Sequence, residues 1–353
     1  MSVVGARLPA AHRGAETTGG ARRPPGAHLA GLTLVMLRYR VAMLVWTFML
    51  LGAAAGDPGR LETVRLALAA AALAWSYVAA TTLNDLADVK IDLVNHPDDP
   101  GRPLVAGAAA PSDMRTLHWV AWAAAVACAS PLGPAPAALV VGGLVIGRAY
   151  SLPPARLSYR PYLAPVTLAA AYVVVPYTLG LWSSGGAVTS RALVLGAAWV
   201  ALFLARIVLK DFRDREGDAI FGRRSILLLH GKLATCALSG VFVFLGDALV
   251  GIAFGWVAWP LLVVAQGFFA AVAFMLWRLW RAMGPAAEQV AIGTGAKMGT
   301  GLLLSVLSWL LLSGQGASLA QRTMFLLLLA AAYGASFAAL ARHPERAVIG
   351  YKG

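Results

Sequence analysis

Nine of the 16 acidic residues of this chain fall in two short windows: Asp85, Asp88, Asp92, Asp98 and Asp99 within 84–99, and Asp211, Asp214, Glu216 and Asp218 within 211–218. Three aspartates in each window repeat one spacing, Asp85, Asp88 and Asp92 in the first and Asp211, Asp214 and Asp218 in the second. On a helix, positions i, i+3 and i+7 share a face. Carboxylates crowded there repel one another unless a cation neutralises them. A hard divalent ion suits the task, because Mg²⁺ is held by one or two carboxylates with water and substrate phosphate oxygens filling its shell. The competing explanation is structural: loop charges, or half of an ion-pair network with Arg213, Arg215, Arg223 and Arg224. A solvated face would scatter its acids, whereas two copies of one spacing in so acid-poor a chain favour the metal.

The elements that carry these windows follow from composition. The 353 residues are 59% hydrophobic and 13% charged, with a mean hydropathy of +0.71. Soluble domains carry about twice that charged fraction, which excludes a soluble globular protein. Apolar stretches of near-spanning length, roughly 20 residues each, occur at 31–53, 63–83, 114–132, 134–152, 161–182, 189–209, 233–252, 255–277, 297–314 and 321–341. The expected fold class is an all-α polytopic membrane protein, a bundle of about nine to ten transmembrane helices. The ninth stretch is short and holds Gly299 and Gly301, which is why nine spans compete with ten.

Charge orients the bundle. With ten spans and the N-terminus inside, 25 of the 29 basic residues fall on the cytoplasmic side, the asymmetry expected of inner loops. The net charge of +13 then reports loop polarity, and no nucleic-acid partner is expected. Residues 1–30 read as a disordered basic cytoplasmic tail lacking a signal-peptide pattern, 31–341 as the transmembrane domain and 342–353 as a short cytoplasmic tail. The expected location is the plasma (inner) membrane, with both Asp-rich windows on the cytoplasmic side. Cys128 and Cys236 lie in apolar stretches and define no disulfide framework or zinc site. An ion-coupled transporter would use isolated carboxylates near the midplane, whereas the remaining acids sit in tails or near span ends.

Three motifs stand in order on the predicted cytoplasmic side. The first is Asn84-Asp85-Leu86-Ala87-Asp88-Val89-Lys90-Ile91-Asp92, followed by Gly101-Arg102-Pro103. Next comes Tyr150-Ser151-Leu152-Pro153-Pro154-Ala155-Arg156 at the end of the fourth stretch, and then Asp211-Phe212-Arg213-Asp214-Arg215-Glu216-Gly217-Asp218, followed by Gly222-Arg223-Arg224. Together they resemble the UbiA-type intramembrane prenyltransferase superfamily over roughly residues 30–280.

The resemblance implies a helical bundle around a central cavity, commonly of nine spans, with the Asp-rich segments at its mouth holding a prenyl diphosphate through Mg²⁺. It implies a transferase that passes a prenyl group to an aromatic or lipid acceptor and releases diphosphate. Asn84, Asp85, Asp88, Asp92, Asp211, Asp214 and Asp218 form the expected metal set, and Asp88, Asp92, Asp214 and Tyr150 the expected catalytic set. Asn84, Arg102, Arg148, Arg156 and Lys210 are the candidate diphosphate ligands, each of the basic ones equally readable as an inner-loop charge. Trp75, Tyr77, Tyr172, Tyr177 and Trp182 are candidate rings beside an allylic cation, while His96, His118 and His230 read as loop or cap residues. The expected partners are a prenyl diphosphate, a hydrophobic acceptor and membrane lipid. The alternative on the same fold is phosphoribosyl transfer to a polyprenyl phosphate.

Overall fold

The computed structural model describes residues 25–344, apart from 60, 98, 186 and 187; residues 1–24 and 345–353, most of the predicted tails 1–30 and 342–353, lie outside the described residues. Thirteen α-helices follow in order: α1 (Pro25–Met36), α2 (Tyr39–Gly56), α3 (Thr63–Asn95), α4 (Pro111–Ala129), α5 (Pro134–Ser151), α6 (Leu163–Ala169), α7 (Val175–Ser183), α8 (Ser190–Ile207), α9 (Asp211–Ile220), α10 (Ile226–Phe254), α11 (Trp259–Arg281), α12 (Pro285–Gly314) and α13 (Leu319–Arg342). No strand occurs among the described residues. Eight segments are long and apolar enough to cross a membrane, with α6–α7 and α8–α9 each counting as one. The two remaining predicted spans, α4 and α5, are helical but fall short of that apolarity. Asp113, Arg115 and His118 crowd the start of α4, and α5 carries prolines, glycines and Arg148.

Helix ends follow the local sequence. Thr189 and Ser225 accept from the backbone N–H of Ala192 and Leu228 at 3.1 and 3.3 Å, capping α8 and α10. Asp113 accepts from the N–H of Ala110 at 2.9 Å, with proline at the first turn of α4. A π-helical turn, Ala170–Val174, joins α6 to α7. Its cause is Pro176, which has no N–H to offer the carbonyl of Tyr172 four residues back. The first predicted span is not one helix: α1 already occupies 25–30 of the predicted tail, and the chain breaks at Arg38, a left-handed residue at φ 41°.

Two apolar cores share the bundle. One gathers α1 to α5 around Met36, Leu73, Met114 and Leu144, and the other gathers α2, α7, α8 and α10 to α13 around Phe48, Trp199, Leu261 and Val306. They meet where α2 crosses α7. A methyl at Gly52 would collide with the Tyr177 carbonyl, and one at Gly180 with that of Met49, so only glycine permits this backbone contact. A third, smaller cluster, with Val208, Phe212, Ile226 and Leu279, lies beneath α9. The bundle thereby brings the ends of α3, α5 and α8, the α1–α2 break and all of α9 to one mouth.

Candidate active site

A cavity of about 330 Å³ opens at that mouth. From α3 come Asn84, Asp88 and Asp92; from α9, Asp214 and Asp218; from α5, Tyr150; from the turn before α9, Lys210; and from the loop after α3, Arg102. Both Asp-rich windows therefore do face one space. Asn95, the last residue of α3, accepts from the N–H of Gly217 at 2.7 Å and ties the two windows together.

Each carboxylate lining the mouth stands near a cation, as burial of charge requires. Arg102 pairs with Asp92 and, at 3.2 Å, with Asp85. Asp88 is 4% exposed and accepts from Asn84 at 2.9 Å and from Arg223 at 3.5 Å. Arg213 and His96 stand 3.0 and 3.3 Å from Asp214. Arg223, in the loop between α9 and α10, gathers the site. It lies 3.7 Å from Asp218, donates to the Ser158 carbonyl at 2.9 Å and to the Tyr150 hydroxyl at 3.4 Å, and shares that hydroxyl with Lys210 at 3.1 Å. Burial opposes its charge, but Tyr150, Asp88, Asp218 and Asp214 outweigh that and hold the guanidinium above its ordinary range. The ion-pair network raised as an alternative exists in part, although Arg215 leaves it for Glu288 at 2.7 Å.

Four expected residues stand elsewhere. Asp85 is only 2% exposed and does not line the cavity. Arg38 grips it at 2.8 and 3.0 Å from the α1–α2 break, which explains why the left-handed turn is held there. Asp211 is also buried outside the lining. Arg148 is exposed on another face of α5, since residues two apart on a helix do not share a side with Tyr150. Arg156 stacks on Tyr159 with its guanidinium carbon 4.0 Å from the ring centre. Of the expected aromatics, Tyr77 and Tyr172 reach the cavity; Tyr177 is buried and donates to the Ala192 carbonyl, and Trp75 packs into the first core. His118 and His230 bond Ala79 and Tyr162, whereas His96 belongs to the site through Asp214.

The sequence reading did not assign Arg38 or Arg223 to the site. Arg223 stands directly after the third motif and in the alternative ion-pair network but was given no role at the site, and Arg38 stands 47 positions from the carboxylate it holds.

Beneath the charged mouth the walls turn apolar. Tyr77 packs edge-on against Tyr172, and Tyr172 stacks on Phe203, with ring centres 5.8 and 5.6 Å apart. Leu44, Phe203 and Arg206 line both the mouth and an adjoining apolar chamber that runs between α2, α8, α11 and α12 past Phe48, Phe269 and Gly299. A polyanion at the mouth with a hydrocarbon tail in the chamber is the ligand shape these surfaces fit.

The donor set also suits Mg²⁺. One oxygen each of Asp88 and Asp218 is buried without a hydrogen-bond partner, an expensive state for a carboxylate unless an ion takes it up. Among the described residues, no three acidic, His or Cys side chains gather closely enough to cage a metal alone. An ion held here by one or two carboxylates would complete its shell with water and phosphate oxygens, the usual habit of Mg²⁺.

The rice chlorophyll synthase is 28% identical over 157 residues, covering 42% of this chain and 41% of the rice protein, so the chain matches well under half the length of that relative. Homogentisate phytyltransferase of a Synechocystis strain is 30% identical over 250 residues, covering 68% of this chain and 72% of that protein. The solved UbiA homologue of Archaeoglobus fulgidus, bound to DMAPP and Mg²⁺, shares the fold at a TM-score of 0.54 and 17% identity over 87% of this chain and 98% of that one. With its residues 44–300 matched by the UbiA prenyltransferase family and its helices arranged as in that homologue, the chain belongs to this family.

Proposed function

We propose that this protein transfers a prenyl group from an isoprenyl diphosphate to an aromatic or lipid acceptor within the membrane, with Mg²⁺ as cofactor and diphosphate as leaving group. The observation that carries the reading is the meeting of Asp88, Asp92, Asp214 and Asp218 with Lys210, Arg102 and Arg223 around one cavity that adjoins an apolar chamber at Leu44, Phe203 and Arg206. The family match and the names of the relatives support an isoprenyl donor.

In this reading Lys210, Arg102 and Arg223 aim their donors at the diphosphate, where negative charge grows as the allylic C–O bond breaks. Asp88, Asp92, Asp214, Asp218 and Asn84 would hold Mg²⁺, which supplies Lewis-acid stabilisation of the departing diphosphate. Tyr77 and Tyr172 present ring faces to the allylic carbon, Tyr150 is fixed by its two cationic donors, and the chamber below keeps water from the reacting centre. The electron pair of the broken bond leaves with diphosphate, the acceptor forms the new bond to carbon, and the acceptor loses one proton. By the charge asymmetry of the loops, the mouth faces the cytoplasm, and the membrane proposed to hold it is the plasma (inner) membrane.

The test is pyrophosphate release by the purified protein in lipid, with geranyl to decaprenyl diphosphates and an aromatic-acceptor mixture. Release that requires Mg²⁺ and is lost in Asp88→Ala and Asp214→Ala supports the proposal. Turnover of phosphoribosyl diphosphate with a polyprenyl phosphate, and none of prenyl diphosphates, would replace it with the alternative transfer.

A further inference from the structure

Helix α13 lies beyond the family match, which ends at residue 300. Only Leu326 and Leu340 of its 24 residues are buried. It stands off α11 and α12 around a groove of about 1080 Å³, above the roughly 300–1,000 Å³ of pockets for drug-sized ligands. The walls are apolar, among them Phe274, Val290, Phe337 and Leu340. One rim is basic: Arg278 and Arg281, one turn apart at the end of α11, both line the groove, and no acidic residue does. Neither arginine has a carboxylate partner among the described residues, and the nearby Glu288 is already held by Arg215 and Lys232 at 2.7 and 2.9 Å. Arg281 also lies over the rings of Trp277 and Trp280, 5.5 and 5.4 Å from their centres. Tryptophans beside arginines mark the level of lipid headgroups.

We propose that this groove binds one anionic phospholipid, its acyl chains between α11, α12 and α13 and its phosphate on Arg278 and Arg281. A hydrocarbon-walled groove inside a bilayer fills with acyl chains. Two unneutralised guanidinium groups at its rim select the negatively charged headgroup, the logic of basic sites between membrane helices. The groove shares no lining residue with the catalytic mouth, though Met275 and Ala291 line both it and the apolar chamber, and its headgroup selectivity can be tested whatever the transferred group proves to be.

The experiment is native mass spectrometry of the full-length, delipidated protein in detergent, titrated with phosphatidylglycerol and separately with phosphatidylcholine. One phosphatidylglycerol is expected to bind about 25-fold more tightly than phosphatidylcholine, about fivefold for each arginine. Arg278→Gln/Arg281→Gln should bring the two lipids to equal affinity, Arg278→Lys/Arg281→Lys should keep the preference, and Ala287→Trp, which fills the groove, should weaken both. Equal binding of the two lipids by the wild type, a preference that survives the double glutamine variant, or displacement of phosphatidylglycerol by millimolar inorganic phosphate would each overturn the proposal.

Discussion

Gly217→Ala tests whether the two Asp-rich segments act as one unit. A methyl at residue 217 would stand 2.7 Å from the Asn95 amide nitrogen, whereas ordinary contact begins at 3.4 Å, so one side must give by about 0.7 Å. If α9 gives, Asp214 and Asp218 withdraw from Asp88 and Asp92. If Asn95 swings aside, Gly217 loses the 2.7 Å bond that anchors α9, at a cost of about 1 kcal/mol. A misplacement near 1 Å costs on the order of 100-fold in rate, so kcat for pyrophosphate release should fall roughly 10- to 100-fold at saturating Mg²⁺. The melting temperature in detergent should move only as far as about 1–2 kcal/mol allows. Adding Asn95→Ala removes the collision, and the double variant should turn over faster than Gly217→Ala alone, a non-additivity expected of residues in contact. Wild-type kcat in Gly217→Ala, or a double variant no faster than that single one, would refute the coupling.

Further outcomes follow from the same geometry. Asp88→Asn and Asp218→Asn remove oxygens suited to the metal, so each should raise the half-saturating Mg²⁺ concentration by about tenfold or more; Asp85→Asn and Asp211→Asn should leave it unchanged, as metal titrations of the rate will register. Arg38→Ala strips one partner from a buried carboxylate and should destabilise the protein by about 3 kcal/mol, read by thermal unfolding. That loss should shrink when Asp85→Asn is present as well. Gly299 borders the apolar chamber with no atom within 4 Å of an added methyl, so Gly299→Phe should shift kcat/KM toward shorter prenyl diphosphates by about tenfold, measured across a chain-length series.

Helix at each of the ten apolar stretches was legible in the chain because hydrocarbon demands long helices, although only eight segments are long and apolar enough to cross and the first stretch is broken at Arg38; the common face of the aspartates was legible from helical spacing. Spacing fixes which residues share a face but not which neighbour that face meets. Asp85 shares a face with Asp88 and Asp92, yet it meets Arg38 across the α1–α2 break while they meet the cavity. Arg148 and Tyr150 illustrate the converse, since closeness in the motif gave no closeness in space. Arg102 and Lys210 were found by proximity to motifs; Arg223 stands as near to one, but its role depended on a loop folding back over α3, α5 and α9, a long-range event that leaves no periodic trace.

The paired glycines at 52 and 180 have a mechanical consequence. With backbone against backbone there, the two cores have no compressible layer of side chains between them at the end of α2 remote from Arg38. In the proposed reaction that crossing would serve as the pivot: opening the mouth for a bulky acceptor would splay the charged ends of the helices about it. Widening is then greatest where carboxylates and arginines, tied by polar contacts that water can replace, face each other, and least where the hydrocarbon chamber must stay sealed.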